Sequence, residues 1–189
     1  TCEGCHADPH AGRATIAEKH VDCDACHSAE GFSPSIFTVS QHSSTPFPLE
    51  RNHADVACGK CHPKNPRGYS PATLGSSGIL LRRDHDRCGQ CHADPHGGQF
   101  ASRADQGDCQ PCHTTGGWKP GLFGVAEHQA LPFRLEGKHA VAECKACHRS
   151  RREGLIPSSG SDSLGTVGIS FRLGEPPCQS CHADPHDGI

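Results

Sequence analysis

The chain has 189 residues, of which 33% are hydrophobic and 5% aromatic, with one Trp, one Tyr and no Met; its formal charge is −3 at pH 7. That is too little apolar material for an ordinary side-chain core, and 22 Gly with 15 Pro argue against long helices or a large regular sheet. No run approaches the roughly 18 apolar residues of a membrane span.

Such a chain is disordered, cross-linked or wrapped around something that supplies its core, and its 14 Cys and 16 His say which. In chain order the cysteines form seven C-x-x-C pairs: Cys2 and Cys5, Cys23 and Cys26, Cys58 and Cys61, Cys88 and Cys91, Cys109 and Cys112, Cys144 and Cys147, Cys178 and Cys181. Each pair is followed at once by a histidine, giving His6, His27, His62, His92, His113, His148 and His182. Two thiols three positions apart can each form a thioether to one porphyrin, and the adjacent imidazole then faces the iron. A disulfide framework leaves the seven histidines unexplained, and zinc knuckles work in twos, whereas seven is odd. The expected cofactor is therefore seven c-type haems, held through those cysteines, with the motif histidines as proximal ligands. One haem per 27 residues makes the porphyrins themselves the core.

The first cysteines are spaced 21, 35, 30, 21, 35 and 34 apart, which is a tandem repeat. Cys2, Cys23 and Cys58 recur 86 positions later as Cys88, Cys109 and Cys144, and Cys178 opens a third copy. The expected organisation is a three-haem module at 1–65, a Gly/Ser/Pro-rich linker at 66–84 and a second three-haem module at 85–150. A further linker at 151–175 and a one-haem portion at 176–189 complete it. The linkers end in "GILLRR" and "GISFRL", short apolar stretches suited to a strand or hairpin edge. The fold class expected is mostly irregular and haem-cored, with short α-helical turns and a few short strands.

Seven of the remaining histidines lie in register: His10, His96 and His186 in "ADPH", then His42 with His128, and His53 with His139. That is one per haem, and no Met competes, so these are the expected distal ligands and all seven haems the expected bis-His type. His20 and His85 break register, their counterparts being Gln106 and Glu175; they read mainly as surface or propionate-contacting residues, with a role as substitute ligands the alternative. Phe37 and Phe47, repeated as Phe123 and Phe133, bracket His42 and His128 and are expected to pack on a porphyrin edge, as are Leu49 and Leu135. Asp8, Asp94 and Asp184 read as turn caps that can also orient an imidazole.

These motifs, "CxxCHADPH", a second "CxxCH", and "F-x4-H-x4-F-x-L-x3-H-x4-CxxCH", resemble the multihaem cytochromes of the cytochrome c3 and c7 group. The resemblance implies low-potential electron transfer by bis-His haems. The tandem repetition departs from those small proteins and is similar to long multihaem arrays, including extracellular cytochrome filaments that act as conducting wires. A haem motif near each extremity fits a segment of a longer array or a subunit that joins others head to tail, where a histidine could ligate across the junction. The expected partners are thus other cytochromes or further copies of the chain, with no membrane span.

Two propionates per haem bring the oxidised holoprotein to a charge of about −10, which argues against nucleic acid. Haem attachment in the resembling proteins takes place outside the cytoplasmic membrane, which implies a periplasmic or extracellular location. A discrete periplasmic low-potential carrier is the alternative function. A multihaem reductase fits less well, since histidines exceed the need and no repeat-breaking cluster of Lys, Arg, Tyr and His stands out; the chain is read as a carrier of electrons and not an enzyme.

Overall fold

A computed structural model describes residues 1–119, 121–150 and 164–184. Regular structure is sparse, as expected from the Gly and Pro content. Five one-turn α-helices occur among the described residues: α1 (Val39–His42), α2 (Cys58–Cys61), α3 (Pro71–Leu74), α4 (Val125–His128) and α5 (Cys144–Cys147). Three-residue 3-10 turns start at Cys2, Cys23, Cys88 and Cys178, and five-residue ones span Arg51–Asp55 and Gly137–Val141. The chain divides into one compact unit of residues 1–86 with 115–118 and another of 87–114 with 119–189.

The strands are β1 (Thr15–Ile16) and β2 (Lys19–His20), an antiparallel hairpin pairing Thr15 with His20 and Ile16 with Lys19. Ala17 and Glu18 between them both have positive φ, the conformation of a two-residue turn whose twist matches its strands. The expected strands at "GILLRR" and "GISFRL" are single bridges instead, Lys64 to Ile79 and Ser150 to Ile169.

Local sequence explains the short helices. Thr38 caps α1 in a reciprocal box, its hydroxyl accepting from Gln41 N while its own amide donates to Gln41 Oε1. The counterpart α4 begins at Gly124, which has no side chain; there Glu127 Oε2 accepts from Gly124 N at 2.7 Å. That bond holds the Glu127 carboxyl below its ordinary pKa. Each helix ends on one of the repeated histidines, His42 or His128.

The hydrophobic residues fully buried among those described are Leu74 and Leu80. Both lie in the stretch 66–84, which folds back onto the "CHADPH" loop: Ser77 N donates to Pro9 O at 2.9 Å. The second copy repeats this, with Val167 N donating to Pro95 O at 3.1 Å. In that copy Gln99, 3% exposed, laces the two segments by donating to Ile169 O and accepting from Phe171 N. By contrast Phe32, Trp118, Leu122 and Val141 stand exposed. No helix among the described residues is long and apolar enough to cross a membrane.

Gly75 (φ +64°) and Gly165 (φ +58°) sit where these segments meet, and a Cβ on either would run into the Pro9 or Pro95 carbonyl. Gly75→Ala is therefore expected to cost more than about 2 kcal/mol, from positive φ and collision together. Gly59→Ala in α2, where a Cβ meets open space, should be neutral or slightly stabilising. Thermal unfolding of the two variants checks the contrast.

Candidate haem-ligating site

All seven C-x-x-C-H motifs close the same way. The histidine amide donates to the carbonyl of the first cysteine at 2.8–3.0 Å, from His6 N to Cys2 O through to His182 N to Cys178 O. A tight turn of about three residues brings side chains at i and i+3 one above the other, so both thiols emerge on one side with the imidazole next to them. None of the 14 cysteines is joined to another in a disulfide.

Opposite five of these imidazoles stand register-matched histidines. Ring centres are 6.1 Å apart for His10 and His27, 6.2 Å for His42 and His62, and 6.1 Å for His96 and His113. They are 6.3 Å apart for His128 and His148, and 5.9 Å for His139 and His182. A metal bonded to both rings at about 2 Å, with about 1 Å more from each nitrogen to its ring centre, sets the centres about 6 Å apart. No cluster of three or more His, Cys, Asp or Glu able to hold an ion occurs among the described residues. The spacing of these imidazole pairs is one that would suit a metal held between two rings.

Three of these rings have Nδ1 at a backbone carbonyl. His62 Nδ1 lies 3.0 Å from Leu80 O, and its counterpart His148 Nδ1 lies 3.1 Å from Ser170 O. His42 Nδ1 lies 3.0 Å from Phe47 O. An Nδ1–H donated to a carbonyl fixes the tautomer and leaves Nε2 with its lone pair free for a metal. Burial lowers the pKa of His10, with Asp8 opposing and His27 adding to it; the neutral ring is the ligating form.

Phenylalanine edges set ring planes, with a change from expectation. Phe37 and Phe123 stand edge-on to His42 and His128, both at 6.1 Å. The rings of Phe47 and Phe133 turn to the next histidine, His53 and His139, each at 5.5 Å. Leu49 and Leu135 are half-buried. Asp8 caps its turn, its carboxylate accepting from His10 N and Gly12 N. Asp94 does the same for His96 N and Gly98 N and also meets the His96 ring at 3.2 Å, so it both caps and orients.

The Cys23 thiol is held above its ordinary pKa by desolvation and then by the Cys2 thiol beside it. Cys109 is raised likewise, by desolvation and then by Cys88. The first and second C-x-x-C pairs of the two three-motif copies are thus neighbours. The pair of chain-linked groups Arg103 and Asp105 form an ion pair at 2.8 Å, and Arg103 Nη1 reaches within 3.9 Å of Cys112 Sγ.

Of the out-of-register histidines, His20 places Nε2 3.4 Å from Glu3 Oε1 at the surface. His85 is half-buried, its Nδ1 2.8 Å from Arg83 O and its ring 5.3 Å from Phe47. His53 and His92 occupy the register positions of His139 and His182. His186 lies outside the described residues.

The chain matches no family model and is not significantly similar to any curated protein or solved structure.

Desolvation pushes the Asp94 carboxyl up, but bonds from His96 N, Gly98 N and the His96 ring outweigh it and leave the group below its ordinary 3.8. A depressed carboxyl stabilises the fold above its unfolded pKa, and that contribution fades as pH falls through the lower folded value. Asp94→Ala should cost about 1 kcal/mol at neutral pH, as for a lost cap. The gap from the parent chain should narrow once the pH falls below about 3.8. Thermal unfolding at neutral and acid pH measures it.

Proposed function

We propose that this chain is a multihaem c-type electron-transfer protein, carrying seven haems in an array that extends beyond a single three-haem module. The observation that carries the reading is the fivefold pairing of a C-x-x-C-H imidazole with a register-matched histidine at 5.9–6.3 Å. Random surface histidines have no reason to repeat that spacing opposite the same motif.

Bound haem iron supplies a one-electron couple with little rearrangement of its ligands. The chain's part is to anchor and tune. The cysteine pairs would fix each group covalently, and at five of the seven motifs a second imidazole stands opposite the motif histidine to hold the iron with it. The Leu80, Ser170 and Phe47 carbonyls enrich the imidazoles they accept from, which favours the ferric state and a low potential. An iron held by two imidazoles would have no place for a substrate, so the reading is a conductor and not an enzyme.

Continuity rests on two further features. Adjacent thiols at Cys2 and Cys23, and at Cys88 and Cys109, set neighbouring attachment sites side by side. His139 of the second module faces His182 of the third copy, so one haem site draws ligands from both. An array joined in this way suits a subunit of an extracellular conducting filament. A discrete periplasmic carrier is the other form the same chemistry takes.

Production of the chain in a host that attaches c-type haem should yield seven haems per polypeptide by pyridine haemochrome assay. A redox titration should centre below zero on the hydrogen scale. His139→Met should raise the potential of one haem and leave the other six unmoved, since a thioether in place of an imidazole favours ferrous iron. Electron microscopy of the loaded chain then separates filaments from single particles.

The ring planes give a finer test. His10 and His27 are inclined by 4° and His96 and His113 by 16°, against 40°, 49° and 59° for the other three pairs. Parallel imidazoles act on the same iron d orbital and split the pair of them widely; crossed rings act on both and reduce the splitting. Electron paramagnetic resonance of the ferric protein should accordingly show a rhombic low-spin set from the two near-parallel sites beside a more axial set. A single uniform signal would count against the angles.

A further inference from the structure

Residues 169–172 fold back onto the second copy of the repeat and tie two of its imidazole pairs together. Gln99, 3% exposed, donates from Nε2 to His96 O and Ile169 O and accepts from Phe171 N on Oε1. Arg172 Nη1 donates to Gln99 O and to Ser102 Oγ. Ser170 O lies 3.1 Å from His148 Nδ1. The stretch is thus bonded on one side to the loop that carries His96 and on the other to His148.

Phe171 stands in the middle of this clamp. Its ring centre is 5.5 Å from that of His96 and 5.7 Å from that of His148. Phe100 extends the aromatic cover, at 5.1 Å from His96 and 5.6 Å from Phe171. His96 faces His113, and His148 faces His128, so one side chain touches an imidazole from each of two pairs.

The first copy has the same fold-back without these rings. Leu80 O meets His62 Nδ1 as Ser170 O meets His148, and Arg82 donates to Thr15 O as Arg172 does to the corresponding loop. At the positions of Phe171 and Phe100 stand Leu81 and Ala14. The backbone clamp forms with an aliphatic residue there, so the aromatic cover adds something that the clamp itself does not require.

We propose that Phe171 is a positioning residue shared by the His96–His113 and His128–His148 sites, holding an imidazole of each and keeping water from the space between them. The proposal rests on the haem reading above. A ligating imidazole conveys such a contact to its iron in two ways. Its plane selects the d orbital it overlaps, and an apolar shell that excludes water disfavours the more highly charged ferric state. A side chain that acts in both ways on two sites makes them vary as a pair.

Redox titration and electron paramagnetic resonance of the haem-loaded chain test this. Phe171→Ala should lower the potentials of two haems and alter two ferric signals, one from the near-parallel set and one from the crossed set, leaving five as in the parent chain. Phe171→Leu, which matches the first copy at that position, should keep both potentials near the parent values and still alter the two signals, because it fills the space without a ring. In a Cys109→Ala/Cys112→Ala background, which lacks the haem between His96 and His113, Phe171→Ala should move one haem only.

Movement of one haem, of none, or of more than two in the seven-haem chain would overturn the proposal, and so would movement of two in the six-haem background. If Phe171→Ala does not load, the number of signals altered by Phe171→Leu decides in its place. A parent chain that attaches no haem would instead fail the functional reading, so the two failures are distinct.

Discussion

The hydrogen bond from each motif histidine to the carbonyl four residues before it is the constraint on which the rest depends. It winds C-x-x-C-H into a single turn, and the turn alone decides that two thiols and an imidazole share a side. Seven such turns would be incidental without something to face them. On the multihaem reading, the loops, one-turn helices and fold-back segments of this chain would serve mainly to carry a second imidazole to the right place. α1 and α4 show the economy of the arrangement: one turn, capped by Thr38 with Gln41 or by Glu127 alone, ending on the histidine that faces the next motif.

A polypeptide built this way holds little together through its own side chains. Fixing a residue's backbone costs roughly 1–2 kcal/mol, and two buried leucines do not offset that over a module. Exposed Phe32, Trp118 and Leu122 are apolar surface without a side-chain core to enter. On the multihaem reading the porphyrin faces supply the missing apolar partner and the thioethers make it permanent. The same reading explains a composition that would otherwise suggest disorder.

Much of this was legible in the residues. The motif, its sevenfold occurrence and the 86-residue repeat are written in side chains, and so was the sparse irregular fold, since Gly and Pro forbid long elements. Asp8 and Asp94 read correctly as caps because Asx turns are local. The histidine pairing was not legible: it spans 17, 20 or 43 residues and depends on how loops fold back. Nor were the carbonyls of Leu80 and Ser170, because a backbone acceptor leaves no mark on the residue type that carries it. The stretch 66–84 looked like a spacer from its Gly, Ser and Pro, yet it carries Leu74 and Leu80, and its glycine permits the close approach to Pro9. Phe47 was assigned by symmetry about His42; its carbonyl serves that histidine, but its ring turns to His53.

The pairing of His139 with His182 reaches further than the others, across 43 residues and from one copy of the repeat to the next. His42 and His128 each face a motif histidine 20 residues on, inside their own copy. On the multihaem reading the site at His182 would draw its imidazoles from two copies of the repeat, so the contact that would lower its potential would also join those copies.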